Sequence, residues 1–247
     1  MKIEKYTKDK NNKYKVLIDG ITYTLYDDVI IKHSLLLNKS ITESELNSIL
    51  TENERLTSYY DSIKYINKKM RSKKEIYEYL NKKNVSSKII KETIKKLVDN
   101  NFLNDDIFLK CYVNDQINLT NNGINKIRKS LIKLGIDESA IDEYLNTIDK
   151  QIFLDKIDKY IDKKISVNKN SSSYMLKNKI VLDLVNLGYD KEDVLTILNT
   201  KTISEIDARN REYEKIKKSL EKKYSGDVLE YKIKEKLYRK GFRNDEI

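Results

Sequence analysis

The residue types that most often carry out chemistry are scarce in this sequence. It contains one histidine, His33, and one cysteine, Cys111. A zinc site needs about four such ligands, so this pair predicts none. A nucleophilic cysteine would need a basic partner beside it, whereas Cys111 follows Phe108 in an apolar pattern. We therefore expect Cys111 to be a small core residue and His33 to be an ordinary surface or half-buried side chain.

Two further patterns could be mistaken for parts of an active site. Asp105 and Asp106 are adjacent acids, but adjacent residues on a helix do not face each other, and acids at a helix start offset its dipole. Helix capping is therefore a better interpretation than metal binding or catalysis. The six glycines are scattered, unlike the clustered glycines of phosphate-binding loops. The sequence predicts no metal, no cofactor and no enzymatic activity.

The remaining chemistry is electrostatic. The chain has a formal net charge of +10, and residues 58–104 hold 12 Lys and Arg against 5 Asp and Glu. This concentration predicts an anionic partner. Helical spacing places Lys88, Lys91 and Lys95 on one face, which could contact nucleic acid or an acidic protein surface, or could simply be solvated.

Three tyrosines beside this basic stretch have two possible roles. Tyr59, Tyr60 and Tyr65 could stack on nucleic-acid bases. Tyrosine has an apolar ring and a polar tip, so a place at the edge of a core is the more common role. We expect most of the tyrosines to lie there.

A recurring apolar pattern predicts the elements that position these side chains. Its four anchors, 51 to 53 residues apart, are Asn84, Gly135, Gly188 and Gly241. Eight residues before them stand Ile76, Ile127, Ile180 and Ile233, and four before them stand Leu80, Leu131, Leu184 and Leu237. One residue after them come Val85, Ile136, Tyr189 and Phe242, and six after them Ile90, Ile141, Val194 and Ile247. The spacing predicts a helix that ends at each anchor, followed by a new helix.

The N-terminal residues follow a different pattern. Residues 13–26 alternate apolar and polar around an Asp-Gly pair, which predicts a β-hairpin. Residues 27–37 are expected to be helical. Thr42 and Glu45 have the spacing of a capping box that opens a further helix toward Leu56.

The predicted fold class is mainly α, with tandem three-helix-bundle repeats in an elongated array and a short N-terminal β-hairpin. Further capping boxes are predicted at Ser72 with Glu75 and at Thr202 with Glu205. The predicted domains are 1–57 for the hairpin and its helices, 58–104, 105–150 and 151–201 for three repeats, and 202–247 for an incomplete fourth repeat.

Composition also favours a cytoplasmic location. No apolar run approaches the ~18 residues of a membrane span, and the N-terminus lacks the apolar core of a signal peptide. A single cysteine cannot form an internal disulfide. We expect a cytoplasmic monomer.

Three segments carry a resemblance to a known family. They read RSKKEI at residues 71–76, NNFLNDDIFLKCY at 100–112 and GINKIRKSLIKLG at 123–135. In this pattern the sequence resembles the RecX family, the modulators of the RecA recombinase, including its longer members in low-GC bacteria. The residues that match are Arg71, Ser72, Asp105, Asp106, Phe108, Gly123, Ile127, Leu131 and Gly135. The sequence departs from the family pattern at Asn101, usually glycine, at Leu109, usually alanine, and in using lysine where arginine is common.

The resemblance implies a non-enzymatic regulator that binds RecA filaments on DNA. It would limit recombinase, ATPase and coprotease activities in DNA repair, recombination and the SOS response. On this hypothesis the acidic second repeat meets protein, and DNA alone is bound weakly. The residues expected to face the nucleoprotein are Lys68, Lys69, Arg71, Lys73, Lys74, Lys88, Lys91 and Lys95. The alternatives are a stand-alone DNA-binding protein of tandem three-helix repeats and a protein-binding helical scaffold.

Overall fold

A computed structural model describes residues 1–10 and 12–242, which form three strands and twelve helices. The strands are β1 (Ile3–Lys8), β2 (Lys13–Ile18) and β3 (Ile21–Tyr26). The first helices are α1 (Asp27–Lys32), α2 (Glu43–Ile66), α3 (Lys73–Asn81), α4 (Ser87–Asp99), α5 (Asp105–Leu119) and α6 (Ile124–Lys133). The others are α7 (Glu138–Asn146), α8 (Lys150–Ser166), α9 (Ser173–Asn186), α10 (Lys191–Asn199), α11 (Ile206–Leu220) and α12 (Gly226–Arg239).

The chain forms two compact units, Met1–Phe108 and Leu109–Ile247, and the division falls inside α5. In the first unit, α4 packs on α2 and α3. In the second, α8, α9 and α10 pack against one another, α6 packs on α7, and α11 packs on α12. The mainly α repeat fold is thus confirmed, whereas the domain boundaries given above stay a prediction.

The N-terminal sheet has one strand more than the predicted hairpin. β2 and β3 pair antiparallel around Asp19 (φ 44°) and Gly20 (φ 76°), as their Asp-Gly turn predicts. β1 pairs antiparallel with β2 and was missed, because only Ile3 and Tyr6 of its six residues are even half-buried. Alternation is therefore too weak in β1 to reveal an edge strand.

The two N-terminal helices differ in length from their predictions. α1 ends at Lys32, and turns follow to residue 37. α2 begins with the predicted capping box, in which Thr42 accepts from the Glu45 N–H and Glu45 accepts from the Thr42 N–H. It then continues to Ile66, because neither glycine nor proline interrupts the sequence there.

The repeated apolar positions are buried at equivalent places. Ile76, Ile127, Ile180 and Ile233 are each 0% exposed, and the leucines four residues later are at most 4% exposed. The residues one after the anchors are buried except Val85, which is half-buried. Six after the anchors, Ile90, Ile141 and Val194 are 0% exposed, and Ile247 lies outside the described residues.

The anchors have the left-handed backbone that ends a helix. Their φ angles are 60° at Asn84, 82° at Gly135, 89° at Gly188 and 87° at Gly241. Glycine adopts this region without a Cβ penalty, and asparagine is one of the few other residues that tolerate it. The helices that follow open with side-chain caps, for example Asp190, which accepts from the N–H of Glu192 at 2.8 Å.

In the second unit, the start of one helix lies against the end of another at two places. The Gly123 N–H donates to the Leu187 carbonyl at 2.8 Å, and the Asn125 N–H donates to the Gly188 carbonyl at 3.1 Å. In the same way Ser172, the N-cap of α9, donates its hydroxyl to the Lys240 carbonyl at 3.0 Å, next to an anchor. We call these two contacts the repeat junctions.

Two expectations about individual side chains are wrong. Cys111 is exposed rather than buried, because the buried face of α5 runs through Phe108, Leu109 and Val113. Glu205 forms no capping box with a threonine three residues earlier. Glu205 is buried, with 8% of its surface exposed. Its carboxylate accepts from the Ser173 N–H at 2.5 Å and so caps the start of α9.

Candidate nucleoprotein interface

The candidate interface is centred on one face of α4. This helix opens at Ser86, whose hydroxyl accepts from the Ile89 N–H at 3.4 Å. Ile90 and Leu97 are 0% exposed and fix which face is buried. The opposite face presents the three predicted lysines to solvent.

Lys88, Lys91 and Lys95 are all exposed, and none forms an ion pair with a carboxylate of the described chain. The nearby acid Glu92 is engaged by Arg55, whose Nε lies 2.9 Å from its carboxylate. The α4 lysine face therefore carries three positive charges that no described acid neutralises. Such a surface attracts anions, over a range of about 8 Å at physiological ionic strength.

The second group of predicted basic residues surrounds the start of α3. Lys68 and Lys74 are exposed, and Lys69 lies 3.8 Å from a carboxylate oxygen of Glu75. Lys73 is held more closely, since its ammonium is 3.5 Å from Asp105. The structure brings these lysines together at one end of α3, but part of their charge is already balanced within the first unit.

Arg71 has a different environment from the lysines around it. Its side chain is only 14% exposed, and its guanidinium donates to Glu75 at 2.9 Å. The guanidinium also lies 3.8 Å above the ring of Tyr65, which stacks on Tyr79 with 4.2 Å between centroids and 9° between planes. Arg71 therefore stabilises the packing between α2 and α3, and its contact with a partner stays a prediction.

The Tyr65–Tyr79 stack is closed on its other side by a second cation. Lys83 lies 4.8 Å from the Tyr79 ring and donates to Asp61 at 2.5 Å. The pKa of Lys83 is raised, mainly by the bond to Asp61 and to a smaller extent by the contact with Tyr79. Cations on both faces of a tyrosine pair stabilise it, because each ring face is electron-rich.

The other two tyrosines also have partners within the first unit. Tyr59 contacts Tyr60 edge-on at 5.7 Å and Phe102 at 6.5 Å. Tyr60 packs against Tyr26 at 5.1 Å. The Tyr59 hydroxyl accepts from the Asn100 amide at 2.8 Å. Each ring has aromatic partners in the fold, which favours the interpretation as core-edge residues over that as base-stacking platforms.

The acidic motif residues have architectural roles. The Asp105 carboxylate accepts from the Lys73 N–H at 3.1 Å, at the first turn of α3. Asp105 and Asp106 both lie in the first turn of α5, as predicted. The cap itself is Asn104, which sequence reasoning missed, and its side chain accepts from the N–H groups of Asp106 and Ile107 at 2.9 and 3.0 Å. Asparagine before two acids was the signal that could have revealed it.

The other motif residues also build the fold. Ser72, 0% exposed, accepts from the Glu75 N–H at 3.2 Å in the predicted capping box. Phe108 is 5% exposed. Gly123 opens α6, and Ile127 and Leu131 fill the core beneath it. Gly135 is the left-handed residue that ends this helix.

The described residues bring together no group of three or more His, Cys, Asp or Glu side chains that could hold a metal ion. No helix within residues 1–10 and 12–242 combines the length and apolar character of a membrane span.

The described fold defines a helical-repeat protein with an N-terminal sheet in its first unit. A model of the RecX first three-helix domain matches residues 59–97. Regulatory protein RecX of Bacillus cytotoxicus is 33% identical over 258 residues, which cover 100% of this chain and 94% of that protein. Regulatory protein RecX of Listeria monocytogenes serotype 4b is 28% identical over 256 residues, with the same coverage. The chain belongs to the RecX family of regulatory proteins.

Solved structures show the same fold. A crystal structure of a regulatory protein RecX matches with a TM-score of 0.62 and 23% identity, over 80% of this chain and 98% of that one. RecX from Lactobacillus salivarius matches with a TM-score of 0.55 and 23% identity, over 60% of this chain and 97% of that one.

Proposed function

We propose that this protein binds RecA filaments on DNA and limits their recombinase, ATPase and coprotease activities. The observation that carries the proposal is the α4 lysine face in a chain of this regulatory family. Lys88, Lys91 and Lys95 are exposed and unneutralised, whereas the basic residues around α3 are partly paired. We therefore place the main nucleoprotein contact on α4 and a weaker contribution on the basic residues around the start of α3.

The physical basis of this contact is the release of counterions. Each phosphate neutralised by a lysine contributes about 0.9 to the slope of log affinity against log salt on duplex DNA, and about 0.7 on single strands. Three lysines spaced three and four residues apart on a helix form a continuous row. An intact row should therefore contribute about 2 to 3 to the measured slope.

The test is a charge reversal of the row. The Lys88→Glu, Lys91→Glu, Lys95→Glu variant should bind filaments at least about tenfold more weakly and lower the salt slope by about 2. Its inhibition of RecA ATPase should fall in parallel. A control reverses three exposed lysines of the second unit with the same sequence spacing, Lys215, Lys218 and Lys222. Lys215 lies 3.8 Å from Glu212, and Lys222 follows the end of α11.

The proposal also predicts which partner is needed. The purified protein should be titrated with DNA alone, with RecA alone and with RecA–DNA filaments while ATPase is followed. Inhibition that requires the assembled filament supports the proposal. Tight binding to DNA without an effect on ATPase would favour a stand-alone DNA-binding protein, and equal effects of the two triple variants would remove the α4 lysine face as the contact.

A further inference from the structure

A second basic surface lies in the other unit, where sequence reasoning placed no site. A cavity of about 490 Å³ opens between the C-terminal end of α5 and α8. Its walls are formed mainly by Lys156, Lys159, Tyr160, Lys163 and Lys164. We call it the α8 cleft. Its size is within the range of about 300–1,000 Å³ that is usual for small-molecule sites.

One lysine of the cleft is fixed by the end of α5. The Lys156 ammonium donates to the Thr120 carbonyl at 2.9 Å and to the Ile117 carbonyl. The last carbonyls of a helix lack intrahelical partners, so Lys156 satisfies them and neutralises the negative end of the α5 dipole. Burial lowers the pKa of Lys156. This ammonium therefore joins the two walls of the cleft.

None of the α8 acids lines the cleft, and Asp155 accepts from the Gln151 amide at 2.7 Å. Asp158 and Asp162 both bind Lys201, whose ammonium lies 2.6 and 2.7 Å from their carboxylates. At about 100° per residue, Asp158 and Asp162 lie about 100–140° around α8 from Lys163, whereas Lys159 is within one turn of Asp162. The side of α8 that carries Lys156 and Lys163 is therefore mainly basic, and Lys159 lies at its edge.

One carboxylate does reach the cleft wall, and it is fully engaged. Asp183 accepts from the Tyr160 hydroxyl at 3.0 Å and from the Lys164 ammonium at 3.2 Å. Burial opposes its ionisation, but these two bonds outweigh burial and lower the pKa of Asp183. In the described chain, Lys159 and Lys163 have no carboxylate partner. The other two lysines of the cleft, Lys156 and Lys164, already have hydrogen-bond partners. Lys159 and Lys163 are therefore the cleft lysines whose charge is available to a ligand.

We propose that the α8 cleft binds the phosphate backbone of a single-stranded nucleic acid, with Lys159 and Lys163 on successive phosphates. Lysines four residues apart on a helix have Cβ atoms about 5–6 Å apart, a separation suited to neighbouring phosphates of an extended strand. The Tyr160 ring lies between them in sequence, and Val167, 62% exposed, adds an apolar surface. An aromatic ring beside cations suits an unpaired base, whereas an acidic peptide would leave it unused.

This inference goes beyond the proposed function, because it assigns direct binding of a single strand to a cleft that the filament contact on α4 does not use. The test uses the full chain, a fluorescent oligothymidylate and fluorescence anisotropy, without RecA. The Lys159→Glu, Lys163→Glu variant should lose at least about tenfold in affinity and lower the salt slope by about 1.4, since each single-strand contact contributes about 0.7. The milder Lys159→Gln, Lys163→Gln variant should lower the slope by the same amount.

Two controls make the test specific to the cleft. Lys218→Glu with Lys222→Glu has the same spacing on exposed residues and should leave affinity unchanged. Tyr160→Leu should weaken binding about tenfold while leaving the salt slope intact, because stacking does not depend on counterions. Far-ultraviolet circular dichroism confirms that each variant is folded.

Three outcomes would overturn the inference. They are an unchanged affinity and slope in both the Glu and the Gln variants, equal losses in the Lys218 and Lys222 control, and competition by polyglutamate as effective as that by unlabelled oligothymidylate. The last outcome would assign the cleft to an acidic protein segment. Filament binding through α4 is measured separately, so failure of either proposal leaves the other testable.

Discussion

Replacement of Gly123 by alanine is expected to disrupt the first repeat junction. A Cβ on Gly123 would lie 2.6 Å from the carbonyl carbon and oxygen of Gly188 and 2.6 Å from the Tyr189 nitrogen. All three are backbone atoms, which cannot turn aside as a flexible side chain could. The φ of Gly123 is −81°, which alanine adopts freely. The expected effect is therefore steric.

The expected magnitude follows from two contributions. Overpacking against a rigid neighbour costs about 1–3 kcal/mol. Separation of the two backbones also weakens the bonds to Leu187 and Gly188, worth about 1 kcal/mol each. Alanine also lowers the conformational entropy of the unfolded chain, which offsets about 0.5 kcal/mol of this destabilisation. Gly123→Ala should thus lower the free energy of unfolding by about 3 kcal/mol, or the urea midpoint by about 1.5 M at an m-value of about 2 kcal/mol/M.

Two matched variants separate sterics from backbone strain. Gly226 has φ 56° and open space around its Cβ position, so Gly226→Ala should cost only the left-handed strain of about 1 kcal/mol. Gly188 has φ 89° and would place a Cβ 2.5 Å from the Lys126 nitrogen, so Gly188→Ala should exceed both. Urea unfolding is followed by circular dichroism, and hydrogen exchange in α6 and in the 187–190 turn locates the change. The reasoning is refuted if Gly123→Ala unfolds at the wild-type midpoint.

Two further changes test individual contacts. Ser72→Ala removes the N-cap of α3 and should lower the free energy of unfolding by about 1 kcal/mol in urea, whereas Ser87→Ala, at an exposed position without a cap bond, should not. Arg128 lowers the pKa of Asp142 by donating to its carboxylate at 2.6 Å. A carboxyl group with a lowered pKa in the folded state stabilises the fold at pH values above 3.8, the ordinary pKa of aspartate. This stabilisation is lost as the pH falls below 3.8 and the folded carboxyl becomes protonated. Arg128→Gln should therefore lower the thermal midpoint at neutral pH and have a progressively smaller effect as pH falls below 3.8, and a loss independent of pH would refute the ion-pair explanation.

Much of the helical repeat could be predicted because its signal is periodic. The matched isoleucines and leucines share one face of each helix, and a left-handed anchor ends it, so spacing alone locates both features. Strand β1 has no such signal, because its residues are mostly exposed. Cys111 shows the limit of composition, since its position on α5 points away from the buried Leu109 and Val113, each two residues along the helix.

At the candidate sites, too, features that follow the helical period could be predicted, and features that depend on tertiary contacts could not. Exposure of Lys88, Lys91 and Lys95 follows from the helical period, and the structure places them as expected. The role of Glu205 depends on a partner distant in sequence, Ser173, and that of Arg71 depends on how Tyr65 of α2 stacks on Tyr79 of α3. The α8 cleft was missed because the average charge of a segment shows neither which lysines its acids pair with nor which lysines line a cavity.

The repeat junctions bear on how such a chain can lengthen. At each one, the beginning of an inner helix, at Gly123 or Ser172, meets the turn that ends the corresponding helix one repeat further on, at Gly188 or Lys240. The copy that contains both Ser172 and Gly188 therefore carries both halves of the connection. A duplicated segment inserted here would meet its neighbours through surfaces that it already encodes, so gene duplication could add a repeat without the evolution of a new interface.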